Sequence, residues 1–166
     1  MFKRKLLVVG IIIGIAISLV AIERLQLWAE EVLEDELQVL CNQLNEFKRY
    51  EGKKIGYEET QSLSWEIGKK IIKYEEEATP YLLDIYQNSD NHIAQLFAAR
   101  LVSEIDSIQG IRMLETFRNS ERTVETVFED SISSMTIADI VKKELAILKD
   151  EIEKVQRARK HTKSEI

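Results

Sequence analysis

Apolar positions along this chain follow three regimes. From Leu6 to Ile22 they are nearly continuous, and 17 residues pass without a charge. From Leu25 to about Lys48 they become periodic, at Leu25, Trp28, Val32, Leu33, Leu37, Leu40, Leu44 and Phe47. From Leu33 onward the spacing is that of a heptad seam, which predicts one long amphipathic helix. "YEGKKIGYEETQS", Tyr50 to Ser62, holds two glycines and little periodicity, and predicts a hinge. Beyond Ser62 the helical period returns. Leu63, Ile67, Ile71 and Tyr74 share one side of a helix. Pro80 suits the first turn of the next, behind a Thr79 cap, and that helix reaches Gln87 before "NSD" breaks it. His92 to Ile105 forms another, with Ile93, Leu96, Phe97 and Leu101 inward. A last helix starts near Thr136. The expected fold is all-α: a transmembrane helix over residues 1–24, a stalk helix and linker over 25–61, and a small α-solenoid over 62–166.

The opening run decides topology. Seventeen helical residues span about 25 Å, near the lower limit for a bilayer. A cleaved leader is the alternative, but its apolar core is usually shorter and ends in small residues. Cutting at Ala16-Ile17-Ser18 would leave no polar region before the bond, and cutting after Ala21 would place bulky Leu19 three residues before it. A buried helix of a soluble fold is the third option. The retained anchor fits best, with Trp28 at the interface. Lys3, Arg4 and Lys5 precede the run, and an acidic stretch from Glu30 to Glu36 follows it. The positive-inside rule then keeps the N-terminus cytoplasmic and puts the rest outside, in a bacterium the periplasm or outer face. No lipobox cysteine follows. Gly10, Gly14 and Ser18 recur every four residues, a stripe that lets two such helices approach closely and form a homodimer.

A shift of 31 residues exposes an internal repeat. Leu82 falls on Met113, Leu83 on Leu114 and Tyr86 on Phe117. Asn88-Ser89-Asp90 falls on Asn119-Ser120-Glu121, and Ile93, Leu96, Phe97 and Leu101 fall on Val124, Val127, Phe128 and Ile132. Ser89 or Asp90, and Ser120, are the expected caps of the second helices. "ATPYLLDIYQNSDNHIAQLFAARLVSEI", Ala78 to Ile105, resembles a HEAT-type helical repeat through Pro80, Leu82-Leu83, Asp90, Ile93, Ala98-Ala99 and Leu101. The family's arginine after the β-branched residue is Ala94 here. The second copy, Gly110 to Met135, departs further, with Ile111 for the proline and Glu129-Asp130 for the alanines. The resemblance implies a protein-binding scaffold. In such a solenoid the second helices face a partner, which makes Gln95, Ala99, Thr126 and Asp130 the expected partner surface.

Composition narrows the chemistry. Proline occurs once and glycine six times, so tight turns are few. The single cysteine, Cys41, excludes an intramolecular disulfide and a zinc cage, and is expected buried on a helix. His92 and His161 lie far apart, without carboxylate or thiol at metal spacing. No phosphate-binding glycine loop, nucleophile elbow or HExxH motif is present. Glu75-Glu76-Glu77 are expected to be a solvated run. The net charge is −6, and only the tail "KVQRARKHTK" is basic, which argues against nucleic acid as a partner. The expectation is therefore a non-enzymatic, cofactor-free, membrane-anchored protein-interaction module. The alternative is a structural envelope component of the division or phage-lysis type, acting through its anchor and stalk.

Overall fold

The computed structural model describes Arg24, Leu27 and residues 32–52, 63–128 and 131–164, the last seven by backbone alone. The run 6–22, with Gly10, Gly14 and Ser18, lies outside the described residues. No helix among the described residues is long and apolar enough to cross a membrane. The chain divides into two units, Met1–Gln38 and Val39–Ile166. In the first, Arg24, Leu27 and 32–38 are helical.

The second unit is mainly helical and also holds a small sheet. Helix α1, residues 32–44, ends there, with Leu40, Cys41 and Leu44 buried as the seam predicts. Strand β1 (Tyr50–Glu51) follows, then α2 (Leu63–Ile72), a 3-10 turn (Glu75–Ala78), α3 (Thr79–Asn88), α4 (His92–Ile105), α5 (Ser107–Glu115), strands β2 (Thr123–Phe128) and β3 (Ser131–Thr136), and α6 (Ile137–Ser164).

The α3–α4 hairpin matches expectation closely. Pro80 occupies the first turn of α3, although Ala78 rather than Thr79 is the N-cap. The bounds of α4 are the predicted ones. Its cap is neither Ser89 nor Asp90 but Asn91, whose Oδ1 accepts from the Ile93 and Ala94 amides at 2.9 and 3.4 Å. The Asn91 amide nitrogen Nδ2 donates to the carbonyls of Asn45 and Phe47, both at 2.9 Å. One side chain thus starts α4 and ties it to the end of α1. Ile93, Leu96, Phe97 and Leu101 are buried, as are Ala94, Ala98 and Ala99. An α-helix buried on nearly every side is the centre of its domain.

The second copy of the repeat departs from the all-α expectation. Its first helix exists as α5, with Met113 and Leu114 buried. Its second half is not a helix but the β2–β3 hairpin, paired from Thr123↔Thr136 to Phe128↔Ser131. The 31-residue repeat therefore does not carry over into two matching helical hairpins. Thr123 to Phe128 alternates and is rich in β-branched residues, which lose rotamer freedom in a helix and pack well on a pleated surface. Val124, Val127, Phe128 and Ile132 fit a helical spacing, but Val124, Thr126 and Phe128 also fit one face of a strand.

The predicted hinge, Tyr50 to Ser62, is corrected at its first three residues, while residues 53–62 lie outside the described residues. Tyr50 and Glu51 are buried and pair in parallel with Thr126 and Val127, and the Gly52 amide continues the ladder to the Val127 carbonyl at 2.9 Å. Gly52 sits so close under the Phe128 ring that a Cβ would overlap it. The sheet order is β1-β2-β3. Its inner face carries Tyr50, packed against Phe97 of α4 with ring centroids 6.1 Å apart. Its outer face carries the cross-strand pair Val127–Ile132, and Ile132 is 66% exposed.

Candidate functional site: a buried arginine cluster

Functional chemistry needs ionisable groups brought together, and among the described residues the most deeply buried such group lies between α4 and α6. On α4 the only charge between Ile93 and Ser103 is Arg100, and it is fully buried. Glu144, on the buried face of α6 with Ile137, Ile140, Val141 and Leu148, meets it. Arg100 Nε donates to Glu144 Oε2 at 2.8 Å. Arg100 Nη1 reaches Glu104 at 2.7 Å and donates to Ser103 Oγ at 2.8 Å. Its Nη2 lies 3.8 Å from Glu151. The guanidinium stacks 5.4 Å from the Trp65 ring centre, so α2, α4 and α6 converge on one cation.

Strand β1 closes the cluster. The Tyr50 hydroxyl is buried beside Glu144, close enough to help hold its charge but short of a formed hydrogen bond. Burial first, and the Glu144 charge second, push the Tyr50 hydroxyl well above the ordinary tyrosine range. Burial also raises Glu144, and the Arg100 charge pulls it only part of the way back. Burial alone would lower Arg100, but the Glu144 and Glu104 charges outweigh it and leave the guanidinium more firmly protonated. On the other side of β1, Glu51 anchors α2. Its carboxylate accepts from Ser64 Oγ at 2.5 Å and Arg49 Nε at 3.1 Å, and its carbonyl accepts from Trp65 Nε1 at 3.0 Å.

Access limits what this cluster can do. Arg100, Glu144 and Tyr50 are all fully buried, while the Glu104 and Glu151 side chains at the edge of the cluster are 23% and 38% exposed. A general acid or base must come within hydrogen-bond reach of its substrate. Closed in this way, the cluster ties four elements together, and Gly110 tightens it from behind. Gly110 of α5 lies against the Ser103 backbone with no room for a Cβ.

The residues singled out from sequence distribute differently. Ala99 and Thr126 are fully buried, Thr126 with its hydroxyl on Ser133. Gln95 is half-buried and donates to the Ser89 carbonyl at 2.8 Å, and Asp130 lies outside the described residues. Ala99 and Thr126 are therefore not on an exposed face, because α4 is central and the segment 31 residues on is a strand. Cys41 is buried on α1, as expected, and burial pushes its thiol up to about 12. His92 is half-buried at the start of α4, bonded to Gln95 at 2.7 Å. Glu75, Glu76 and Glu77 are exposed. Among the described residues no group of His, Cys, Asp and Glu could hold a metal. A pocket of about 430 Å³ is lined by Arg118, Ala138, Asp139, Lys142 and Leu145, with charges of both signs.

Sequence reasoning missed Arg100, Glu144 and Tyr50. The signal was present: a charge set among Phe97, Ala98, Ala99, Leu101 and Val102 has no polar face to occupy, so it must be paired. No protein-family model matches the chain, and no curated protein is similar to it.

Proposed function

We propose that this protein is a membrane-anchored interaction module. Its N-terminus is cytoplasmic and its helical domain works on the other side of the bilayer. The observation that carries this reading is the uncharged run Leu6–Ile22 behind Lys3, Arg4 and Lys5. It joins a domain whose main ionisable cluster keeps Arg100, Glu144 and Tyr50 fully buried, which favours binding over catalysis. The burial of Leu40 and Leu44 within residues 39–166 weighs against the alternative, a structural component working through a free stalk seam. A seam consumed inside its own domain has little left for a twin.

β3 is the element that the fold leaves open. Among the described residues it pairs on one side only, and Ser131–Thr136 carries no charge and no proline to protect the other edge. An extended segment of a partner protein, added as a fourth strand, is the occupant such an edge fits. A reporter fused to the C-terminus should be active only outside the cytoplasm, and the chain should resist carbonate extraction from membranes. Cytoplasmic activity with full extraction would reject the anchored reading.

A further inference from the structure

Helix α6 outruns its domain. Leu148 is its last buried residue among those whose side chains are described, yet the helix continues to Ser164, roughly four more turns. Lys154 to Arg157 are exposed, with the Lys154 and Arg157 side chains 65% and 73% open to solvent. From Lys154 to Lys163 the sequence places Lys154, Arg157, Arg159, Lys160 and Lys163, with no acidic residue, in a protein of net charge −6. The helix dipole does not account for this. It acts within the last turn, whereas Lys154 and Arg157 stand about two turns or more before the end. Local pairing does not account for it either. Lys154–Asp150 at 2.6 Å and Arg157–Glu153 at 3.1 Å are exposed surface pairs, which contribute little. Val155, 53% exposed among these cations, is the apolar residue that a helix lying on a headgroup layer would bury.

We infer that the Lys154–Lys163 end of α6 docks on the anionic headgroups of the membrane that holds the chain. This rests on the anchored reading for its location and on charge complementarity for its occupant. An anionic lipid surface attracts such a cluster within a Debye length. A tail gripping the surface would give the domain a second attachment and limit its reach from the bilayer.

The test reconstitutes the full chain into nanodiscs of phosphatidylcholine, with or without phosphatidylglycerol. Trypsin cleavage after Arg159 is then followed by mass. Phosphatidylglycerol should slow that cleavage about tenfold at low ionic strength, and 0.5 M salt, which cuts the Debye length to about 4 Å, should remove the protection. Arg157→Glu with Lys160→Glu should restore the phosphatidylcholine rate without changing circular dichroism, because Lys154 to Arg157 are exposed and both changes keep a good helix former. Equal rates in both discs would overturn the inference, as would protection by duplex DNA without protection by phosphatidylglycerol. Carbonate-resistant flotation of liposomes reads the anchor separately. Lost flotation with lipid-dependent protection would sink the anchor alone, and retained flotation with equal cleavage would sink the tail alone.

Discussion

The α3–α4 hairpin and the segment from α5 through β3 share apolar spacing over most of their length, and they fold differently. In the first, Ile93, Leu96, Phe97 and Leu101 line a buried helix. In the second, Val124, Val127, Phe128 and Ile132 sit on two strands. The spacing tolerates either outcome. What separates the copies is the material between the apolar positions. Alanines and a glutamine fill α4, while threonines and serines fill β2 and β3. Alanine gives a helix its lowest cost, and β-branched threonine favours the pleated surface. Strand β1 then adds a parallel partner that a solenoid would lack. Shared periodicity is therefore evidence of shared burial, not of shared secondary structure.

The sharpest way to break the comparison is at Arg100, whose counterpart 31 residues on is Ser131, exposed on β3. Arg100→Ala should destabilise the domain by about 3–5 kcal/mol in urea unfolding, because Glu144 is left buried without its partner. Ser131→Ala should change stability by about 0.5 kcal/mol or less. Arg100→Met with Glu144→Leu should recover much of the loss, since removing both charges removes the desolvation cost. If Arg100→Ala proved neutral, the cluster would not be what joins α2, α4 and α6.

The next pair asks the same question of apolar residues. Leu101 is fully buried and Ile132 is 66% exposed, although the repeat aligns them. Leu101→Ala should cost about 2–5 kcal/mol and Ile132→Ala about 0.5 kcal/mol or less. Equal costs would restore the repeat. A smaller effect is expected where the two copies join. Gly110→Ala would drive a methyl into the Ser103 backbone, and overpacking of this kind costs about 1–3 kcal/mol. A melting temperature unmoved by that change would show that α4 and α5 can part.

The smallest effect at neutral pH belongs to Tyr50. Tyr50→Phe removes a buried hydroxyl that lacks a formed hydrogen bond, so stability near pH 7 should change little or rise slightly. The difference should grow in alkali. Tyr50 and Cys41 both have folded pKa values raised by burial. The stability they contribute is whole below their unfolded values of 10.0 and 9.0 and is lost as pH rises toward the folded ones. Wild-type stability should therefore fall from about pH 9 upward, and Tyr50→Phe should flatten the upper part of that decline.

Sequence alone determined much of the helical framework. The bounds of α4, the place of Pro80, the start of α6 and the burial of Leu40, Leu44 and Cys41 follow from local period and punctuation. These are properties of neighbouring residues, so neighbours suffice to read them. The sheet and the arginine cluster were decided elsewhere. Tyr50 and Glu51 form a strand only because Thr126 and Val127, some 75 residues away, present an edge to them. Arg100 is neutralised from 44 residues away by Glu144, and Thr126 is buried because β1 and β3 flank it. A two-residue strand has no period of its own, and a charge carries no mark of its partner. Both acquire meaning only once folding brings distant segments together, which is the part of the energy that local sequence cannot express.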